Sequence, residues 1–155
     1  MNQEREKQVE ILFQFHSELL EQEIKEKMLA VVDDEDLGYY KIESIPAYTP
    51  GIATGDIVQA EYDDTAEMLT YMEKVKASGN SVIWVVIVDD ETLMDDVQET
   101  FYNLHCNSVA ISERFFTMEV NAEINYLRIK NKLIELRAAG AIDFAEACLS
   151  EDHQY

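Results

Sequence analysis

Ser81-Val82-Ile83-Trp84-Val85-Val86-Ile87-Val88 decides the fold. The run carries no charge and is mostly β-branched, so it shows no helical period. Branched side chains of this kind suit a pleated strand covered on both faces. We read it as a central strand, and the rest of the second half falls into place around it. Asp89-Asp90-Glu91 follows, and carboxylates there complement the positive N-terminal end of a helix. Leu93, Val97, Phe101 and Leu104 then recur at helical spacing, with Asn107 ending the helix. Val109 to Val120 reads as one long strand or a strand pair. Tyr126, Ile129, Leu133 and Leu136 stripe a second helix, which Gly140 closes, and Phe144 to Leu149 forms a short terminal element. The order strand, helix, one or two strands, helix, strand predicts a ferredoxin-like split-βαβ half. Its two helices lie on one face of an antiparallel sheet.

The first half is a series of strands. Val9 to His16 is short, apolar and aromatic, whereas Leu19 to Lys27 has helical composition and is ambiguous. Met28 to Val32 is a further apolar run, stopped by Asp33-Asp34-Glu35-Asp36. Tyr39 to Ile45 reads as a strand, Pro46 and Pro50 bracket a turn, and Gly51 to Asp56 is a loop feeding a strand from Ile57 to Tyr62. Glu67 to Ala77 admits a helix with Met68, Tyr71, Met72 and Val75 on one face. A strand is preferred, paired to the next one through a Ser78-Gly79-Asn80 hairpin turn. The expectation is an α+β chain: a small β-barrel or curled sheet over residues 1–78, then the ferredoxin-like half over 79–155. Whether the N-terminal strand joins the barrel stays open.

The pieces Tyr40-Lys41-Ile42-Glu43-Ser44-Ile45-Pro46, Gly51-Ile52-Ala53-Thr54-Gly55-Asp56-Ile57-Val58-Gln59-Ala60, Ser78-Gly79-Asn80-Ser81 and Asp143-Phe144-Ala145-Glu146-Ala147-Cys148-Leu149 resemble the conserved core of a bacterial family of unknown function. The likeness spans roughly residues 9–150. It implies a small barrel followed by a ferredoxin-like half, and no chemistry. The Gly55-Asp56 step also resembles the GD-box of small β-barrels, a tight turn at Gly55 with the Asp56 carboxylate capping backbone amides. Some acidic proteins of such families act as immunity factors beside toxins, an association these residues do not themselves carry.

Composition bounds the function. Thirty-two Asp and Glu face twelve Lys and Arg, a net charge of −20, while 47% of residues are hydrophobic. That is enough apolar surface for a core, so intrinsic disorder is excluded. The charge repels nucleic acid and anionic membranes and attracts basic partners. The longest apolar run is far shorter than a membrane span, and the polar start lacks a secretory h-region, so a cytoplasmic location is expected. Cys106 and Cys148 would allow a disulfide by count, but two buried thiols are the expectation in that compartment.

Catalytic chemistry is sought and not found. Asp33-Asp34-Glu35-Asp36 lacks the alternating ligands of a calcium loop. Asp89, Asp90, Asp95 and Asp96 read as the wet start and face of a helix. His16, His105 and His153 share no ligand spacing, and no nucleophile signature surrounds Cys148. Tyr39, Tyr40, Tyr48 and Tyr62 could line a groove, with packing the simpler reading. Arg128, Lys130, Lys132 and Arg137 form the outer face of a helix and not a nucleic-acid patch.

The expected function is therefore that of an immunity or inhibitor protein rather than an enzyme, using no cofactor and no metal. It would be a monomer or weak dimer that occludes the active site of a basic toxin or effector domain, such as a nuclease. One candidate contact patch is Asp33, Asp34, Glu35, Asp36, Glu61, Asp63 and Asp64. The other is Asp89, Asp90, Glu91, Asp95 and Asp96. Two alternatives are weighed beside it: a small-molecule-binding or housekeeping interaction domain, and a metal-dependent enzyme of scattered carboxylates.

Overall fold

The first five strands close on themselves. The structure, a computed structural model, describes residues 7–18 and 21–154. β1 (Gln8–Ser17), β2 (Gln22–Asp34), β3 (Tyr39–Ile42), β4 (Ile57–Asp63) and β5 (Met68–Lys76) run antiparallel in chain order. A short parallel ladder between β1 and β5, Ile11 opposite Leu69 and Leu12 opposite Thr70, shuts the ring. The N-terminal strand thus belongs to the barrel. Closure removes the free edges that an open sheet would expose. The interior is filled by Ile11, Phe13, Met28, Ala30, Ile42 and Val58, all buried. Phe13 stacks on Tyr71 with ring centroids 4.7 Å apart.

β2 resolves the ambiguity of its helical composition in favour of strand. Its ten-residue antiparallel register with β1, from Gln22 opposite Ser17 to Val31 opposite Gln8, overrides helix propensity. Leu19 and Leu20, at the start of the ambiguous segment, lie outside the described residues.

β6 (Ser81–Ile87) is a central strand, as its composition predicts, and lies between β8 (Phe115–Val120) and β9 (Ile142–Cys148). β7 (Ser108–Ala110) borders β8, so Val109 to Val120 is a strand pair. The sheet order β7-β8-β6-β9, with helices α1 (Met94–Tyr102) and α2 (Tyr126–Ala138) as the two crossovers, is the split-βαβ arrangement. Ile83, Val85, Phe116, Met118 and Ile142 turn one face of the sheet towards Val97, Phe101, Ile129 and Leu133 of the helices. A single 3-10 turn, Glu151–His153, ends the described chain.

Two sequence expectations are corrected. Ser78-Gly79-Asn80 turns no hairpin, because β5 pairs with β4 and β1, whereas β6 pairs with β8 and β9. Once the ring is closed, β5 has both edges occupied. The first helix does not begin at Asp89-Asp90-Glu91 but at Met94. Asp89 instead folds a local turn, its Oδ1 accepting from the Glu91 amide at 3.1 Å and its Oδ2 from the Thr92 hydroxyl at 3.0 Å. That competing Asx geometry satisfies the carboxylate before a helix can use it.

The chain divides into two units. One comprises the chain up to Ser44 and Thr54–Ser78; the other comprises Ile45–Ala53 and the chain from Gly79 onward. Residues 45–53 form a strap on the sheet face opposite the helices. The Pro46 carbonyl accepts from the Thr117 hydroxyl at 2.7 Å and from Trp84 Nε1 at 3.0 Å. The Gly51 amide donates to the Ala147 carbonyl at 2.9 Å, and Tyr48 lies against Phe115 with centroids 6.2 Å apart.

Candidate functional site

The two acidic patches fold very differently. Asp33 and Asp34 end β2, Glu35 and Asp36 open the turn to β3, and Glu61 to Asp64 lie at and just past the end of β4. Tyr39 pairs with Gln59, and the Ala60 amide donates to the Gly38 carbonyl at 3.0 Å, so both segments emerge at the same end of the ring. Asp34 caps its own turn by accepting from the Leu37 amide at 3.2 Å. Asp63 does the same for the Thr65 amide at 2.7 Å. None of the seven carboxylates forms an ion pair among the described residues.

The second patch is already partly spoken for. Asp89 is held in its turn, and Asp90 pairs with Arg114 of the second unit. Asp95 and Asp96 occupy the first turn of α1, where they complement the helix dipole in place of a side-chain cap.

The other candidates settle into the structure. Asp56 is 1% exposed; its Oδ1 accepts from the Ser78 amide at 2.8 Å and its Oδ2 lies 3.3 Å from Lys74 Nζ. With Gly55 at φ +85, this is the turn and carboxylate cap that the GD step implies. Neither Cys106 nor Cys148 is in a disulfide; the first is buried and the second half-buried. Burial pushes the Cys106 thiol up to about 12, which removes the thiolate that nucleophilic chemistry needs. Three of the four basic residues of α2 are engaged within the chain: Lys130 with Glu146, Lys132 with Glu135, and Arg137 over the Phe144 ring at 4.6 Å. Tyr40 is buried in the ring, Tyr62 is exposed near the acidic end, and Tyr48 belongs to the strap of the second unit. No group of metal-ligating side chains occurs among the described residues.

One polar cluster has no sequence signal. His153 Nε2 lies 3.1 Å from the Asn121 carbonyl, which can only accept, so Nε2 carries the proton. Nδ1 then accepts from the Ser81 hydroxyl at 2.6 Å, and Ser81 Oγ accepts from the Ser150 amide at 2.8 Å. Seventy-two residues separate the serine and the histidine. The pair has the contacts of a nucleophile and base, but both residues are buried, and it ties the C-terminal turn to β6. Beside it, the Tyr126 hydroxyl donates to Glu146 at 2.5 Å, and burial is the main cause holding this phenol above its ordinary range.

The fold and its surface thus define an α+β protein of two units, a closed ring and a split-βαβ sheet, with carboxylates gathered at one end of the ring. The chain belongs to the family described as a domain of unknown function, DUF4265, whose model matches residues 26–144. It is similar to a solved structure described as a novel crystal structure of a hypothetical protein from Neisseria gonorrhoeae. That likeness has 21% identity and a TM-score of 0.79, covering 96% of this chain and 99% of that one. At this identity the likeness shows the fold alone. No curated protein matches the sequence. Among the described residues, no helix is long and apolar enough to cross a membrane.

Proposed function

We propose that this is an acidic binding protein acting as an immunity or inhibitor protein. It would cover a positively charged cleft on a basic toxin or effector domain. The observation that supports this most is the gathering of Asp33–Asp36 with Glu61–Asp64 at one end of the ring, where no ion pair among the described residues neutralises them. Such an array raises the encounter rate with a cationic surface and takes the place of the phosphates that a nuclease cleft holds. A small molecule inside the ring is the weaker reading, because Ile11, Phe13, Met28 and Ile42 fill that space.

The test is capture of basic proteins from the native host at low salt, followed by kinetics on the captured partner. Reversing Asp33, Asp36, Glu61 and Asp64 to Lys should lower the association rate by roughly tenfold or more and flatten its salt dependence. An association rate unchanged by the reversal would sink the assignment of this patch.

A further inference from the structure

The strap covers only part of the sheet face that the helices leave bare. Trp84, opposite Thr117 on β8, is held beneath Pro46. Val86, two residues along the same central strand and therefore on the same face, is 44% exposed. Its cross-strand neighbours are Phe115 on β8, half-buried, and Asp143 on β9, exposed. Ala145 on β9, opposite Trp84, is also exposed. Phe115 stands edge-on to Trp84 with centroids 6.5 Å apart, and Tyr48, 50% exposed, also lies against it. Val88 continues the row at 56% exposure, and the chain then enters Asp89-Asp90-Glu91.

A β-branched residue of a central strand is normally covered. Here it heads an apolar and aromatic row with carboxylates at its end and across from it. An apolar centre with a charged rim is the anatomy of an interaction surface. At the rim Arg114 pairs with Asp90, but Asp143 and Glu91 form no ion pair among the described residues; the chain carries a net charge of −20, and aromatic faces attract cations. We propose that this uncovered sheet face, centred on Val86, Phe115 and Tyr48, docks a segment of a partner protein that alternates cationic and apolar side chains. The apolar residues seat on the row, and the cations meet Asp143, Glu91 and the Tyr48 ring. The proposal rests on the basic-partner reading but places the anchoring contacts on the second unit, where the acidic end of the ring supplies attraction only.

The test uses the intact chain and two synthetic peptides of equal charge, one alternating Arg with Leu and one alternating Arg with Gly. Trp84 is the chain's single tryptophan, so its emission reports on this face. The Arg-Leu peptide should bind saturably, shift the Trp84 emission, and bind about tenfold tighter than the Arg-Gly peptide. Val86→Ser and Tyr48→Ala change exposed side chains and should leave the melting temperature nearly unchanged. Val86→Ser should bring the Arg-Leu affinity close to that of Arg-Gly without weakening the Arg-Gly peptide, whereas Tyr48→Ala, which also removes a cation contact, should weaken both peptides and Arg-Leu the more. Arg-Leu binding that ignores both variants but is lost on reversing Asp33, Asp36, Glu61 and Asp64 overturns this docking face and leaves the basic-partner reading standing. No binding of either peptide at low salt overturns both. Self-association of the free chain, abolished by Val86→Ser, would make a second copy the occupant and equally overturn the proposal.

Discussion

Asp56 shows how much a single buried carboxylate can hold. It is the acceptor for the Ser78 amide and the counter-charge of Lys74, so its loss orphans a donor and an ammonium together. Lys74 keeps 32% of its side chain exposed and can turn to water, which limits the damage. Asp56→Ala should cost about 2–3 kcal/mol, and Asp56→Asn less, since the amide oxygen still accepts from Ser78. Urea unfolding of the two variants checks the order. Cys106 gives a pH prediction. Its thiol is raised by burial from 9.0 to about 12, so between those values the unfolded chain releases a proton that the folded chain keeps. Stability is therefore unaffected below pH 9 and falls as pH rises above it. Tyr126 and Tyr71, both raised chiefly by burial, add to the loss above pH 10. Urea midpoints measured from pH 8 to 10.5 should decline, and Cys106→Ala should lessen the decline between pH 9 and 10. The sequence marked Asp56 through its Gly-Asp step. It gave no hint of the Ser81–His153 pair, because two residues 72 positions apart meet only when the C-terminal turn docks on β6.

At the scale of elements, the two helices differ in their starts. α2 opens on Asn125, whose side chain accepts from the Leu127 amide at 3.1 Å, and Asn125→Ala should cost about 1 kcal/mol. α1 opens on Leu93, an exposed residue with no side-chain cap. Leu93→Ser should therefore stabilise the protein by about 0.5–1 kcal/mol, a gain that thermal unfolding would register and that an unchanged midpoint would refute. The helix stripes and the β-branched run were legible because periodicity and branching report burial directly. The start of α1 was not, because Asp89 can cap a turn or a helix, and only its contacts with Glu91 and Thr92 decide which. β2 was illegible for the opposite reason: its charged residues favour a helix locally, and pairing with β1 along its length outweighs that preference.

Across the whole molecule, net charge sets the response to the medium. Among the described residues, the ring-end carboxylates lack ion-paired cations, so their mutual repulsion is relieved by screening. The melting temperature should rise between about 20 and 200 mM salt, where the Debye length shortens to below the spacing of exposed charges. The same rise should be smaller in the variant with Asp33, Asp36, Glu61 and Asp64 reversed. A melting temperature indifferent to salt in the native chain would show that the carboxylates do not act as a cluster. The acidic residues themselves could be counted in the sequence; that seven of them share one end of a ring could not.

Composition and periodicity by themselves determined the α+β class, the central strand, the two helices after it and the acidic surface. Each of these is written in local patterns of size, branching and charge. Tertiary structure alone decided that β1 closes the ring, that residues 45–53 strap the second unit, that Ser81 meets His153, and that Val86 is left uncovered. Those features depend on contacts between residues far apart in the chain. A local pattern states that a side chain prefers burial or solvent; it does not state which distant segment will cover it.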